Sequence, residues 1–328
     1  MNIETRRLGR SGPEITTVGF GAWAAGGPWQ IGWGPQDDGD SIAAIRRSVE
    51  LGSNWIDTAA IYGVGHSEEV VGRALQGIPR DRVMVFTKCG RVLRDGAPRP
   101  TGDLHPDSIR AECEASLRRL GVDAIDLYQV HWPDPEGEVP LEDTWGAMAA
   151  LQDAGKVRYL GVSNFNVEQI ATCEAIRHVD SLQPPYSLLR RDIEEEILPW
   201  CERNGVGVIV YSPMQAGLLS GSFDMSRVAE DDWRRKHPYF QEPALSQHLE
   251  FVERLRPIAA RHGKTVGQLA IAWTLRHPGV TAAIVGARRP EQVEENVSAM
   301  GWHLSGGEMS EIAEAFRDVY GDHYGEAP

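Results

Sequence analysis

Ile193-Glu194-Glu195-Glu196-Ile197-Leu198-Pro199-Trp200-Cys201-Glu202-Arg203-Asn204-Gly205-Val206-Gly207-Val208-Ile209-Val210-Tyr211 contains a whole building block of the fold. A helix is expected over 193–204, and Gly205 stands where a helix is brought to a stop. Val206, Val208, Ile209 and Val210 then form a near-continuous apolar run, a strand over 206–211 that is apolar on both faces. Strands of that kind belong in parallel sheets covered by helices on either side.

The same alternation extends outward in both directions. Upstream, helices are expected over 40–51 (Ile42, Ile45 and Val49 at helical spacing, with Gly52 as stop), 67–75 (Ser67, Glu68 and Glu69 as its cap), 106–120, 141–154 and 167–177. Strands are expected at 17–21, 54–58, 83–87, 125–130, 159–162 and 181–183. Downstream, a long excursion over 217–247 precedes helices 249–262 and 266–277, strand 281–285, helix 290–300 and a terminal helix near 309–319. A short hairpin comes first, its arms at 5–8 and 15–16 joined by Gly9-Arg10-Ser11-Gly12-Pro13. Eight strand–helix units without a linker predict an α/β fold, a (β/α)8 TIM barrel with an N-terminal β-hairpin and extra helices, as one domain over 1–328. The competing arrangement is a doubly wound sheet, because Gly19-Phe20-Gly21-Ala22-Trp23-Ala24 fits a G-x-G-x-x-A dinucleotide fingerprint. Gly26-Gly27-Pro28 follows at once and cannot open the helix that fingerprint requires, which favours the barrel.

Composition narrows the partners. The 33 basic and 47 acidic residues give a net charge of −14. Nucleic acid and anionic membrane surfaces need a basic footprint, so neither is expected as a partner. Cys89, Cys113, Cys173 and Cys201 are scattered without a Cys-x-x-Cys pair, so neither a zinc site nor a redox motif is indicated. The first residues lack the apolar core of a signal peptide, and no apolar run reaches the roughly 18 residues of a membrane span. A soluble cytoplasmic protein is expected; no oligomeric state is read from the sequence.

Four short stretches carry the chemistry: Trp55-Ile56-Asp57-Thr58-Ala59-Ala60-Ile61-Tyr62-Gly63, Phe86-Thr87-Lys88, Gln129-Val130-His131-Trp132 and Gly161-Val162-Ser163-Asn164-Phe165. In a barrel, catalytic groups come from the C-terminal ends of several strands. Asp57, Lys88 and His131 fall at such ends, and Tyr62 lies in the loop just after Asp57. Taken singly, Asp57 could cap a turn, Tyr62 be a half-buried aromatic, Lys88 a solvated strand end and His131 a core histidine. Together they are the parts needed to protonate a carbonyl oxygen while hydride reaches its carbon. A free phenol is a poor acid near neutrality. An adjacent ammonium, Lys88 held by Asp57, is expected to lower the Tyr62 pKa. Neutral His131 would donate a hydrogen bond to the carbonyl, and Tyr62 would be the general acid.

The order Asp57–Tyr62–Lys88–His131 resembles the catalytic tetrad of the aldo-keto reductases. Asn54-Trp55-Ile56-Asp57-Thr58-Ala59 and Tyr62-Gly63-x-Gly65-x-Ser67-Glu68 are most similar to the bacterial branch that also resembles potassium-channel beta subunits. The resemblance runs from Gly19-Phe20-Gly21 to Gln292-Val293-Glu294-Glu295-Asn296. It implies NADPH (NADP+) bound across the barrel mouth without a Rossmann domain. By the same resemblance Ser163, Asn164 and Gln183 hold the nicotinamide carboxamide, and Tyr211 stacks on the nicotinamide ring. Ser212, in Tyr211-Ser212-Pro213, and the Gly217-Leu218 backbone would wrap the pyrophosphate. The adenosine end falls to Gly286, Arg288, Gln292, Glu295 and Asn296, with Arg288 on the 2′-phosphate because an arginine fork matches phosphate geometry. Other branches carry a lysine and an arginine in this segment where glycine and Gln292 stand here; NADPH is still placed ahead of NADH. Arg234, Arg235 and Lys236 either reach the same phosphate or solvate their loop.

Trp23, Trp29 and Trp132 are the candidate walls of a substrate pocket, while Trp33 reads as a packing anchor. Tyr320, His323 and Tyr324 are expected to close the site as a tail loop. Small-molecule carbonyl compounds or the corresponding alcohols are the expected partners: aldehydes, quinones, sugar or polyol carbonyls. A rival reading is a regulatory subunit that binds NADP(H) and senses its redox state with little turnover. A barrel hydrolase using a metal at His131 with Asp57, His105 or Asp107 is disfavoured, since Lys88 would repel the cation.

Overall fold

The computed structural model describes residues 3–29, 32–94, 96–97, 99–134 and 137–321. Eight parallel strands close into a barrel in the order β3 (Val18–Gly21), β4 (Trp55–Asp57), β5 (Met84–Cys89), β8 (Ile125–Val130), β9 (Val157–Ser163), β10 (Ser181–Gln183), β11 (Gly207–Val210) and β12 (Ala282–Gly286), with β12 pairing back onto β3. This is the expected (β/α)8 TIM barrel. Between the strands run α1 (Asp38–Glu50), α2 (His66–Leu75), α3 (Pro106–Leu120), α4 (Leu141–Asp153), α5 (Val167–Glu174), α6 (Ile197–Asn204), α7 (Ala244–Ala260) and α8 (Val266–Leu275), and α9 (Pro290–Val297) and α10 (Gly306–Tyr320) follow the last strand. The N-terminal hairpin pairs β1 (Thr5–Arg7) with β2 (Glu14–Thr16). A second small hairpin, β6 (Arg91–Val92) with β7 (Thr101–Gly102), follows β5 and has no strong strand pattern in the sequence.

Three helices differ from expectation for visible reasons. Helix α2 is not capped by Ser67, whose hydroxyl instead donates to the Ala22 carbonyl at 2.7 Å. Helix α5 stops at Glu174, whose carboxylate accepts the Val179 N–H at 2.8 Å and His178 at 2.9 Å. The segment before α6 winds as a separate turn over Asp192–Glu194, drawn aside because Glu194 pairs with Arg191 at 2.6 Å and Arg276 at 3.1 Å. The excursion after β11 is a chain of short helical turns, and α7 begins at Ala244.

The barrel interior is filled by Trp55, Phe86, Leu127, Ile209 and Ala282, with Leu8 and Ile15 of the hairpin inserted beneath them. Trp55 stacks on Phe86 with ring centres 5.1 Å apart. A side chain on Gly19 would stand 2.1 Å from the Trp55 ring, so the glycine answers to this packing and not to a phosphate. The larger apolar layer lies between strands and helices. The hairpin therefore seals one end of the barrel, and the C-terminal strand ends open at the other.

Candidate active site

Three neighbouring strands deliver the first groups. Asp57 ends β4, Lys88 is the next-to-last residue of β5, and His131 follows β8; β4 pairs with β5 and β5 with β8. Tyr62 sits on the turn after β4, where the Gly63 backbone presses on that of Gly26. A Cβ on Gly63 would come 2.1 Å from the Gly26 carbonyl oxygen, and Gly63 has a φ of +60°. That contact, and the hydrogen bond of the Ser67 N–H to the Tyr62 carbonyl at 3.2 Å, fix the tyrosine over the strand ends.

Lys88 is fully buried and donates from Nζ to Asp57 Oδ1 at 2.5 Å and to the Thr58 carbonyl at 2.9 Å. Its Nζ is 5.2 Å from the centre of the Tyr62 ring. Tyr62 meets the His131 ring edge-on at 5.7 Å. All four residues thus converge. Burial depresses the Lys88 ammonium, with Asp57 acting against it. Burial, then Lys88 and Arg91, push the His131 imidazole well below its ordinary value and keep it neutral. The expectation that Lys88 lowers the Tyr62 pKa is corrected here. Loss of water and the negative charge of Asp57 push the phenol up, because the ammonium is already balanced by that carboxylate. The phenol therefore stays protonated at neutral pH.

Gln183 is turned inward. Its Nε2 donates to Asp57 Oδ2 at 2.9 Å and to Gln129 Oε1 at 3.2 Å, and Gln129 donates to the same Asp57 oxygen at 3.3 Å. Gln129 has no assigned part in the sequence reading, although an amide inside the run Ile125–Val130 is the signal that could have found it. Ser163 donates to the Gln183 carbonyl at 2.7 Å. Asn164, held at a φ of +64°, donates to the His131 carbonyl at 3.0 Å and accepts the Tyr211 hydroxyl at 2.8 Å. One hydrogen-bonded set therefore joins Asp57, Gln129, Gln183 and Ser163 to Asn164, His131 and Tyr211.

Farther round the rim, Ser212, Gln215, Ala216 and Gly217 all adopt positive φ, Pro213 is buried, and Leu218 is wholly buried. Non-glycine residues held there each cost about 1–3 kcal/mol, a strain that gathers at functional loops. Gly286 is exposed at the end of β12, and its carbonyl accepts Asn296 Nδ2 at 3.2 Å. Gln292 accepts the Arg288 N–H at 2.8 Å. Glu295 is exposed and accepts the Thr265 hydroxyl at 2.6 Å, tying α9 to α8. Arg234 pairs with Asp232 at 2.7 Å and lies over the Trp33 ring at 4.5 Å, while Arg235 grips the carbonyls of Met225 and Val228. These two arginines fasten the excursion.

Trp23 lies 6.3 Å from the Tyr62 ring, 5.4 Å from Trp33 and 6.1 Å from Trp233, an aromatic the sequence reading passes over. Trp132 stands 45% exposed at the rim. Trp29 is not brought to this cluster by any ring contact among the described residues; it folds over its own turn at Gly32. Tyr320 is a packing residue, its ring against Phe316 and Phe251 and its hydroxyl 2.6 Å from His248 Nδ1, so the expectation that it closes the mouth is corrected. His323 and Tyr324 lie outside the described residues. Among the described residues, no cluster of His, Cys, Asp and Glu has the arrangement of a metal site, and no helix is long and apolar enough to cross a membrane.

The structure is a closed parallel barrel with an ion pair, a phenol and an imidazole gathered at its C-terminal mouth. The model of the aldo/keto reductase family matches residues 17–317, and the chain belongs to that family of oxidoreductases, which use a nicotinamide cofactor. It is 38% identical over 330 residues to the aldo-keto reductase YhdN of Bacillus subtilis (strain 168), covering 98% of this chain and 96% of that one. It is also 38% identical over 325 residues to the NADH-specific methylglyoxal reductase of Escherichia coli (strain K12), covering 94% and 98%. Among solved structures, the glycerol dehydrogenase AKR11B4 from Gluconobacter oxydans superposes with a TM-score of 0.87 at 36% identity, covering 97% of this chain and 96% of that one.

Proposed function

We propose that this oxidoreductase reversibly reduces aldehyde and ketone carbonyls to alcohols with NADPH, and that Tyr62 is the general acid. The observation that carries the reading is the buried Asp57–Lys88 pair lying beneath a protonated Tyr62 and a neutral His131. Bound nicotinamide supplies the hydride that reaches the carbonyl carbon. His131, neutral, donates a hydrogen bond to the carbonyl oxygen and orients it. As negative charge grows on that oxygen it becomes more basic than a phenolate, so Tyr62 gives up its proton despite its raised pKa. The Lys88 ammonium, held by Asp57, lies 5.2 Å from the ring centre, and its charge offsets only part of the cost that burial and Asp57 impose on the phenolate.

The donors present suit a dinucleotide. Gln183 commits its amide nitrogen to Asp57, so its amide oxygen is the end that would accept from a carboxamide. Ser163 and Asn164 stand beside it, and Tyr211 offers a ring next to Tyr62. Ser212, Pro213, Gly217 and Leu218 belong to a strained loop suited to the pyrophosphate, while Gly286, Arg288, Gln292, Glu295 and Asn296 line the adenosine end. Trp23 and Trp233 would wall a pocket for small carbonyl compounds such as aldehydes, quinones and sugar or polyol carbonyls, with Trp132 at its rim. Relatives named for methylglyoxal and glycerol support that size class.

Tyr62→Phe is the direct test. The variant should bind NADPH as the wild type does and lose at least about a hundredfold in kcat/KM for a small aldehyde. Turnover close to wild type would remove Tyr62 from the role.

A further inference from the structure

Arg288, the residue proposed to meet a nucleotide phosphate, already has its side chain engaged within the protein. Its Nε donates to Gln36 Oε1 at 2.6 Å, and its Nη2 donates to the Pro35 carbonyl. Nε and Nη2 form one edge of the guanidinium, and such an edge is the fork that grips a phosphate through two parallel hydrogen bonds. Gln36 closes the clasp from its other end, donating from Nε2 to the Arg288 main-chain carbonyl at 2.9 Å. Two neutral acceptors on adjacent residues of one loop therefore hold the edge that a phosphate would use.

We infer that Gln36 sets the nucleotide preference of this enzyme, by competing for the Arg288 fork and so weakening the hold on a 2′-phosphate. The inference rests on the phosphate reading of Arg288 given above. A dinucleotide without that phosphate leaves the clasp closed and is unaffected by it. One that carries the phosphate must replace both neutral hydrogen bonds with charge-assisted ones. Exposed neutral hydrogen bonds are weak competitors, so the handicap is several-fold and not absolute. Gln36 thereby narrows the gap between NADPH and NADH in a chain that keeps a phosphate-binding arginine.

The test is equilibrium titration of the full chain with NADP+ and with NAD+, read by quenching of tryptophan fluorescence. Gln36→Ala frees the Nε arm of the fork and leaves only the Pro35 carbonyl on Nη2, so NADP+ should bind about fivefold tighter while NAD+ changes less than about twofold. Gln36→Glu sets a carboxylate on the same edge, so NADP+ should weaken about tenfold with NAD+ again little changed. Equal changes for the two nucleotides would assign Gln36 to shaping its loop. Unchanged or weaker NADP+ binding in Gln36→Ala would mean that Gln36 does not block the arginine. Either result overturns the inference. Arg288→Ala separates it from the reading beneath: selective loss of NADP+ binding with both Gln36 variants silent leaves Arg288 its role and Gln36 none. Binding of both nucleotides in the wild-type ratio removes the phosphate role of Arg288, and the inference falls with it.

Discussion

Asp57 has more partners than a simple ion pair with Lys88 would require. One carboxylate oxygen takes Lys88, and the other takes the amides of Gln183 and Gln129. A pair buried this deeply is costly to desolvate, and extra hydrogen bonds on its free lone pairs are what make it tolerable. Removing Lys88 would strand a buried carboxylate, typically at about 3–5 kcal/mol, so a Lys88 variant mixes lost stability with lost catalysis. His131 offers a cleaner readout. Burial and the cations Lys88 and Arg91 hold its pKa well below the ordinary value, so it stays neutral as pH falls through the usual histidine range. The profile of kcat/KM for carbonyl reduction should therefore lack a step near about 6.5 when measured from pH 5 to 8. A step there that disappears in His131→Gln would mean the imidazole titrates in place.

At the scale of elements, two helices reach under the strand ends with acids, Glu68 buried and Glu112 half-buried. Glu68 of α2 accepts the Thr87 hydroxyl at 2.6 Å and Arg119 of α3 at 2.7 Å; it joins strand to helices and does not cap α2. Glu112 of α3 accepts the Gly90 N–H at 3.0 and 3.2 Å, anchoring the chain just after Lys88. Burial pushes the Glu112 carboxyl up to about 8, the Gly90 N–H opposing it. Below the unfolded glutamate range both states hold the proton and the full stability is present. As pH rises towards the folded value the unfolded state has already released its proton, so stability declines, and the loss is complete above that value. Glu112→Gln should abolish this slope. Its stability relative to the wild type should improve from pH 5 to pH 9 by on the order of 4 kcal/mol, measured by urea denaturation at each pH. A difference that does not vary with pH would show that Glu112 titrates normally.

For the whole molecule, the two ends of the barrel divide stability from chemistry. The hairpin inserts Leu8 and Ile15, both fully buried, against Trp55, Phe86 and Ile209 at the closed end. Leu8→Ala should cost about 2–5 kcal/mol in urea unfolding. Its kcat/KM at 25 °C should stay within about twofold of wild type, because the reacting groups stand at the opposite ends of the strands. A matching fall in kcat/KM would mean that the plug and the mouth are mechanically coupled.

The sequence alone determined the barrel and the identity of its four central residues. Strands apolar on both faces, alternating with helices of which several stop at a glycine, permit little else. Asp57, Lys88 and His131 stood out because each breaks an apolar run near its end, and Tyr62 because the word around it resembles that of the aldo-keto reductases. Tertiary structure alone decided the company these residues keep. Gln129 and Gln183 are 54 positions apart, yet closure of the sheet turns both onto Asp57. Gln36 and Arg288 lie 252 positions apart, and they meet only because β12 returns to pair with β3. Spacing along the chain encodes which face a side chain leaves by; which distant partner waits on that face depends on the closure of the ring.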